Sequence, residues 1–258
     1  MHTKTIDFSR YSSIKIGQPT EVLILEKGDR IPRDRYLIGG ANNLLISPTP
    51  PPLMILGKDF ATIELKGDIL TIGASMPTGR IVSFARKNNL SGFEFFAKLP
   101  GMLGGMLAMN AGVKSYEIFN ILDSIEIDGE WIAKEDIEYG YRFAHLGGVA
   151  TTARFRVIQG FNQELLNELV ALRKNQPLDP SAGSAFKNPM GDAAGRLIEA
   201  VGLKGEQRGD MAWSQIHANF LVNLGNGSFE DALYLIELAK ERVYNKFGIM
   251  LQEEIKIL

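Results

Sequence analysis

Over the first half of the chain, apolar residues come in short runs separated by glycine and proline. That pattern predicts strands joined by tight turns. Val22–Leu25 and Tyr36–Ile38 read as strands, and only Glu26–Arg35 joins them, with Pro32 inside, which leaves no room for a full helix. Thr62–Leu65 and Leu70–Gly73 bracket a turn at Lys66-Gly67-Asp68. Ile121–Ile127, Trp131–Ile132 and Val149–Val157 continue the β pattern. Between them, Pro77–Asn88 changes to helical spacing, with Ile81, Phe84 and Ala85 on one face. The run Pro48-Thr49-Pro50-Pro51-Pro52 lacks the amide donors of regular structure and marks a loop or a boundary.

The last hundred residues are more helical. Asn162 is placed to cap a helix to about Asn175, with Leu165, Leu169 and Leu172 on one stripe. Asp192 is placed to cap Ala193–Val201, which Gly202 ends, and Ser228 to cap a long helix closed by Gly248. That helix points Leu233, Ile236, Val243 and Phe247 inward. Ile249–Leu258 reads as a terminal strand with its apolar residues at odd positions. Strand alternation places Glu253 on their face and Glu254 on the other. The expected fold class is α+β, divided as 1–53, 54–159 and 160–258.

Composition narrows the function. The 258 residues are 45% hydrophobic and 22% charged, with a net charge of −2, and Lys and Arg are scattered among the acids. No basic stripe suggests nucleic acid, and no apolar run approaches the ~20 residues of a membrane span. The N-terminus lacks the pattern of a secretory signal. Cysteine is absent, which excludes disulfides and thiolate chemistry and fits a reducing, cytoplasmic location. With three His and no His/Glu pair at ligand spacing, no metal site is expected, and His217 reads as a packed or hydrogen-bonded imidazole. Trp131 and Trp213 read as core.

Two glycine-rich segments follow strands: Gly39-Gly40-Ala41-Asn42-Asn43-Leu44-Leu45, and Pro100-Gly101 through Gly104-Gly105 to Asn110-Ala111-Gly112. Successive amides of such segments can cradle an anion without basic side chains. Neither a Walker lysine nor a Gly-x-Gly-x-x-Gly in a βαβ setting is present. The first segment resembles the Gly-Gly-Gly-Ser-Asn-Leu-Leu segment of the UDP-N-acetylenolpyruvoylglucosamine reductase family. The second is similar to that family's Pro-Gly-x-x-Gly-Gly loop ending in Met-Asn-Ala-Gly. Tyr141-Arg142, the block Pro180–Pro189 around Ser184, His217–Phe220 and Leu251–Ile255 also match, in the family's order, from about Ser13 to the C-terminus.

The resemblance implies a flavoprotein with a two-part FAD-binding module of the vanillyl-alcohol-oxidase type and a C-terminal α+β substrate domain. It implies FAD as cofactor, NADPH as reducing co-substrate and a UDP-sugar enolpyruvyl ether as substrate, with no nucleic-acid or membrane partner and a monomeric state. By the same resemblance Arg142, Ser184 and Glu254 are catalytic, Ser184 as proton donor. Gly39, Gly40, Ala41, Asn42, Asn43, Leu44, Pro100, Gly101, Gly104, Gly105, Asn110, Ala111 and Gly112 hold the cofactor, and Asn188 and Arg173 the substrate. From the residues alone, Arg142 reads as a strand residue and Ser184 as a loop hydroxyl.

The chain departs from the family pattern in places. The first FAD-binding part is shortened. Ala41 and Asn42 stand where Gly and Ser are usual, and Ala fits only if its φ is negative. Val113–Glu117 replaces the family's Ala-Tyr-Gly-Gly-Glu, Lys256 stands for an Arg, and no substrate-covering tyrosine loop is present, which points to the loop-less subclass. Two other readings are compatible with the sequence: an oxidoreductase of the same FAD fold with another substrate, and a non-catalytic nucleotide-binding relative.

Overall fold

A computed structural model describes residues 1–258, the side chain of Lys98 excepted. The chain is α+β and divides into two compact units. The first comprises Met1–Lys4, Val22–Gly40 and Pro52–Lys174; the second comprises Thr5–Glu21, Ala41–Pro51 and Asn175–Leu258. One division falls inside the proline run, between Pro51 and Pro52.

The first unit contains two sets of strands. Leu53–Leu56 pairs in parallel with residues 22–25 on one side and Tyr36–Leu37 on the other. As Pro32 implies, residues 26–35 hold no helix. The larger sheet is antiparallel, in the order Glu130–Ala133, Leu122–Ile127, Ala150–Arg156, Ile69–Gly73, Ile63–Lys66. Its strands lie within a residue or two of the predicted ones. Gly67, at φ +62°, supplies the turn conformation between the last two.

The core of this unit joins Leu70, Ile72, Ile125, Ala153 and Phe155 of the sheet to Ile81 and Ala85 of the helix Thr78–Lys87. Each side chain of the size of Phe155 contributes about 1.5–3 kcal/mol by leaving water. Leu166 and Leu169 of the helix Gln163–Ala171 enter the same core. The sequence division had assigned that helix to the C-terminal module. Asn162 caps it as expected, its side chain accepting from Leu165 N at 2.9 Å. Its buried stripe uses Leu166, while Leu172 is exposed. Trp131 is not core: it lies at the sheet edge, with the Arg154 guanidinium 3.6 Å from its ring centroid.

The second unit is built on an antiparallel sheet, Ser181–Ser184, Phe220–Asn223, Met211–Trp213 and Gln207–Arg208 in that order. The helix Phe229–Phe247 lies against it and buries Ala232, Leu235, Ile236, Ala239 and Val243. Ser228 caps the helix by accepting from Asp231 N at 3.0 Å, and Gly248 closes it at φ +66°. Trp213 is fully buried and stacks on Phe186. The terminal strand is much shorter than predicted: Lys256–Ile257 pairs in parallel with Leu44–Leu45, and before it a lone antiparallel bridge joins Glu253 to Phe186. The residues before it bond instead to the segment after Ser184, with Lys187 N donating to Gln252 O at 2.9 Å and Glu254 N to Ala185 O at 2.8 Å. One isolated bridge to the segment after Ser184 replaces the ladder that a long strand requires.

Candidate active site

In the first unit, Gly39 lies beside the second glycine segment. A Cβ placed on Gly39 would lie 3.9 Å from Gly105 N. Gly104 is needed for packing: its Cβ would come within 3.3 Å of Ala74, whose carbonyl accepts from Gly104 N at 2.8 Å. Gly105, beside it, faces open space, with nothing within 4 Å of an added Cβ. Gly101 adopts φ +129°, and its carbonyl accepts from Thr78 N at 3.1 Å, tying Pro100-Gly101 to the start of the helix Thr78–Lys87. Asn110 N and Ala111 N donate to Leu107 and Met106 carbonyls at 3.1 and 2.9 Å. Hence open approach for a ligand in this segment is concentrated at Gly105.

Asn110 is fully buried and has φ +41°, a conformation asparagine tolerates better than most residues. Its Nδ2 donates to Glu117 Oε2 at 2.8 Å and to Gly140 O at 3.0 Å, and its Oδ1 accepts from Phe119 N at 3.2 Å. That side chain is therefore spent inside the protein. Gly112 pairs with Glu117 in a short hairpin, and a Cβ at Gly112 would overlap the Tyr116 carbonyl oxygen.

Arg142 stands at the tip of a second hairpin. Tyr139 pairs with Ala144 and Gly140 with Phe143, leaving Tyr141 and Arg142 as a two-residue turn. Tyr139 stacks on Phe119 at 4.3 Å between centroids. The guanidinium is mostly shielded: Nη2 donates to Gly112 O at 3.0 Å, and Nη1 is 3.8 Å from Glu117 Oε1. Its Cζ lies 4.9 Å from the centroid of the Tyr141 ring. Arg173, in the turn after Gln163–Ala171, is close enough to act on Arg142 through its charge. Burial and then that like charge lower the Arg173 pKa, though a guanidinium stays protonated at neutral pH.

In the second unit, Ala41, Asn42, Asn43 and Leu44 run along the C-terminal segment. Ala41 has φ +49°, so the expectation of a negative φ is overturned. The left-handed conformation costs an alanine about 1–2 kcal/mol, and burial of its methyl returns about 0.8 kcal/mol of that. Asn42 Nδ2 donates to Ser13 Oγ at 2.6 Å, and Asn43 Nδ2 to Glu254 O at 2.8 Å. Leu44 is buried and pairs with Lys256.

Ser184 ends its strand opposite Phe220 after a bulge, and Gly183 before it has φ +81°. Asn219 fixes the backbone just beyond: Oδ1 accepts from Phe186 N at 3.0 Å and Nδ2 donates to Phe186 O at 2.8 Å, so one side chain imitates a neighbouring strand. Sequence reading matched Asn219 to a motif but gave it no task. The segments that carry Ser184 and Glu254 thus meet at Ala185, whose carbonyl accepts from Glu254 N. Glu253 is directed elsewhere, 2.7 Å from Lys240 Nζ. Burial pushes the Glu253 pKa up, but the Lys240 hydrogen bond and charge outweigh it and hold it below the usual value.

Asn188 Oδ1 accepts from Ala194 N at 3.0 Å and caps the helix Ala194–Ala200. Asp192, predicted as that cap, instead accepts from Ala193 N and pairs with Arg196; this partner, ahead of the backbone bond, lowers its pKa to about 2. His217 is hydrogen-bonded, its Nδ1 accepting from Asn219 N at 3.3 Å, and burial lowers its pKa. Among the described residues there is no group of three His, Cys, Asp or Glu suited to a metal ion, and no helix long and apolar enough to cross a membrane.

Arg142 has φ +62°, at a turn position that favours glycine, so it holds backbone strain. Relief of about 1–2 kcal/mol exceeds the ~0.4–1 kcal/mol that extra unfolded-chain freedom costs a glycine. Arg142→Gly should therefore be more stable than Arg142→Ala by about 0.5–1 kcal/mol in urea unfolding. An alanine variant equal to or more stable than the glycine variant would remove the strain argument.

Comparison with known proteins places the chain in a family. A family model described as the UDP-N-acetylenolpyruvoylglucosamine reductase C-terminal domain matches residues 175–258. The chain is 48% identical to the protein of that name from Helicobacter hepaticus, over 100% of both chains. It is 47% identical to the one from Campylobacter jejuni, over 98% of this chain and 99% of the relative. The crystal structure of the Thermus caldophilus reductase superposes with a TM-score of 0.86 at 32% identity, covering 100% of this chain and 99% of that one. Full-length likeness in both sequence and fold means that the chain belongs to the UDP-N-acetylenolpyruvoylglucosamine reductase family of oxidoreductases.

Proposed function

We propose that this chain catalyses the NADPH-dependent, FAD-mediated reduction of UDP-N-acetylglucosamine enolpyruvate to UDP-N-acetylmuramate, a step of peptidoglycan precursor synthesis in the cytoplasm. The observation that carries the reading is the bond from Glu254 N to Ala185 O, which joins the two segments bearing Ser184 and Glu254 while Glu253 is held by Lys240.

The glycine segments suit the cofactor. Open space at Gly105, with Gly39 alongside, fits close approach of a pyrophosphate to backbone amides. Because the side chains of Asn42, Asn43 and Asn110 are engaged within the protein, the cradle is a backbone one. When bound, FAD supplies the hydride for the substrate's vinyl carbon.

The chain's own residues supply charge and a proton. Hydride addition places negative charge on the carboxylate side of the substrate, and Arg142, planar and permanently charged, stabilises it. Ser184 donates the proton to the adjacent carbon. A serine is a weak acid, so this role needs a fixed hydroxyl and a strongly basic acceptor; the bulge before it and the Asn219 staple after it hold the backbone. Glu254 orients the same carboxyl system. Arg173 is assigned to the substrate phosphates, and Asn188, as a helix cap, shapes the segment beyond Ser184.

Ser184→Ala should leave flavin reduction by NADPH within about twofold of wild type and slow reoxidation by the enolpyruvyl substrate about 100-fold or more in anaerobic stopped-flow absorbance. Equal loss in both half-reactions would remove Ser184 from the proton transfer. Gly105→Leu should keep the circular dichroism and melting behaviour of the protein, since the site has room for a side chain, yet purify without bound flavin. A yellow, fully loaded Gly105→Leu protein would contradict the cradle.

A further inference from the structure

We infer that Glu117 is a positioning residue for the active-site arginine, and that the buried Asn110 amide sets it in place. This rests on the reading of Arg142 as the cation that meets the substrate carboxylate.

Arginine is a long side chain with many rotamers, so a defined position has to be imposed on its guanidinium. Holding such a group for reaction requires fixed acceptors. Two are present. Gly112 O accepts from Nη2 at 3.0 Å, and the Glu117 carboxylate lies 3.8 Å from Nη1. Both belong to one small hairpin, in which Gly112 and Glu117 are paired. Glu117 itself is constrained on its other oxygen, which accepts from Asn110 Nδ2 at 2.8 Å. The second proton of that amide goes to Gly140 O, within the hairpin that carries Arg142. A single buried amide therefore spans the carboxylate and the backbone that launches the guanidinium.

Charge gives Glu117 a second effect. Arg142 and Arg173 act on each other as like charges. A carboxylate close to Arg142 offsets that repulsion and keeps the guanidinium from being driven out towards solvent. Both partners are mostly shielded, at 17% and 22% side-chain exposure, so screening by salt is reduced. Glu117 does not touch the reacting atoms in this scheme; it acts through Arg142.

The test uses Glu117→Gln in the full-length holoprotein. The substitution keeps the shape and an acceptor for Asn110 but removes the charge. Flavin reduction by NADPH should stay within about twofold of wild type, while the limiting rate of reoxidation by saturating enolpyruvyl substrate falls about tenfold, with little change in substrate half-saturation. Nitrogen-15 NMR of the arginine side chains gives a readout independent of turnover. The Arg142 guanidinium, assigned by its loss in Arg142→Lys, should show restrained rotation in wild type and in Glu117→Asp, and averaged rotation in Glu117→Gln. Wild-type reoxidation, or an unchanged Arg142 signal in Glu117→Gln, would overturn the positioning role. A wild-type protein whose reduced flavin does not react with the substrate would instead overturn the proposed function, and the NMR comparison would then decide the Glu117–Arg142 coupling alone.

Discussion

The first unit depends on one buried side-chain amide. Asn110 is inaccessible to water, so each of its polar atoms must find a partner in the protein or cost about 1–3 kcal/mol. All of them do. The partners are the Glu117 carboxylate and the Phe119 backbone amide, two residues apart, and the carbonyl of Gly140 in the second hairpin. The loop after the helix Leu103–Ala108, the Gly112–Glu117 hairpin and the Tyr139–Ala144 hairpin are fastened through this one residue. Arg142 is strained in φ and carries charge, and it stays in place because these segments over-determine it.

The second unit uses the same device. Asn219 pairs with both polar groups of Phe186 and fixes the backbone beyond Ser184. Asn43 takes the Glu254 carbonyl, while the adjacent strand residues Leu44–Leu45 pair with Lys256–Ile257. Asparagine suits such positions because its amide is a detached peptide group, with two donors and one acceptor on a short stem. With these side chains committed to the scaffold, the proposed ligand contacts are glycine backbone and a few charged or hydroxyl groups. Pre-organisation of this kind lowers the ordering cost of binding and reaction.

Much of this architecture was legible in the sequence. The short apolar runs Thr62–Leu65, Leu70–Gly73 and Ile121–Ile127, set off by turn residues, located the large sheet. Ser228 and Gly248 located both ends of the longest helix through capping chemistry. Family blocks single out Arg142, Ser184 and Glu254 as candidates, and their roles are the proposal above. Other features were hidden because they depend on partners distant in sequence. The helix Gln163–Ala171 looks identical whichever core it joins. Ile249–Leu258 alternates like a strand, yet only Lys256–Ile257 forms one, and the residues before it bond to the segment after Ser184. Ala41 carries no local sign that its φ is positive, and Arg142 none that it occupies a turn position favouring glycine. Glu117 was noted only as part of a divergent stretch, and its meaning required the 2.8 Å bond to Asn110.

The most direct test is the unfolding free energy of Asn110→Asp at neutral pH, from urea denaturation followed by tryptophan fluorescence. Asp is isosteric and accepts positive φ nearly as well as Asn, so the change isolates the amide donors. It replaces them with a carboxylate oxygen facing Glu117 and the Gly140 carbonyl. The account predicts a loss of about 2–4 kcal/mol. A variant within about 0.5 kcal/mol of wild type would mean that these segments are held by other contacts and that the Asn110 amide is incidental.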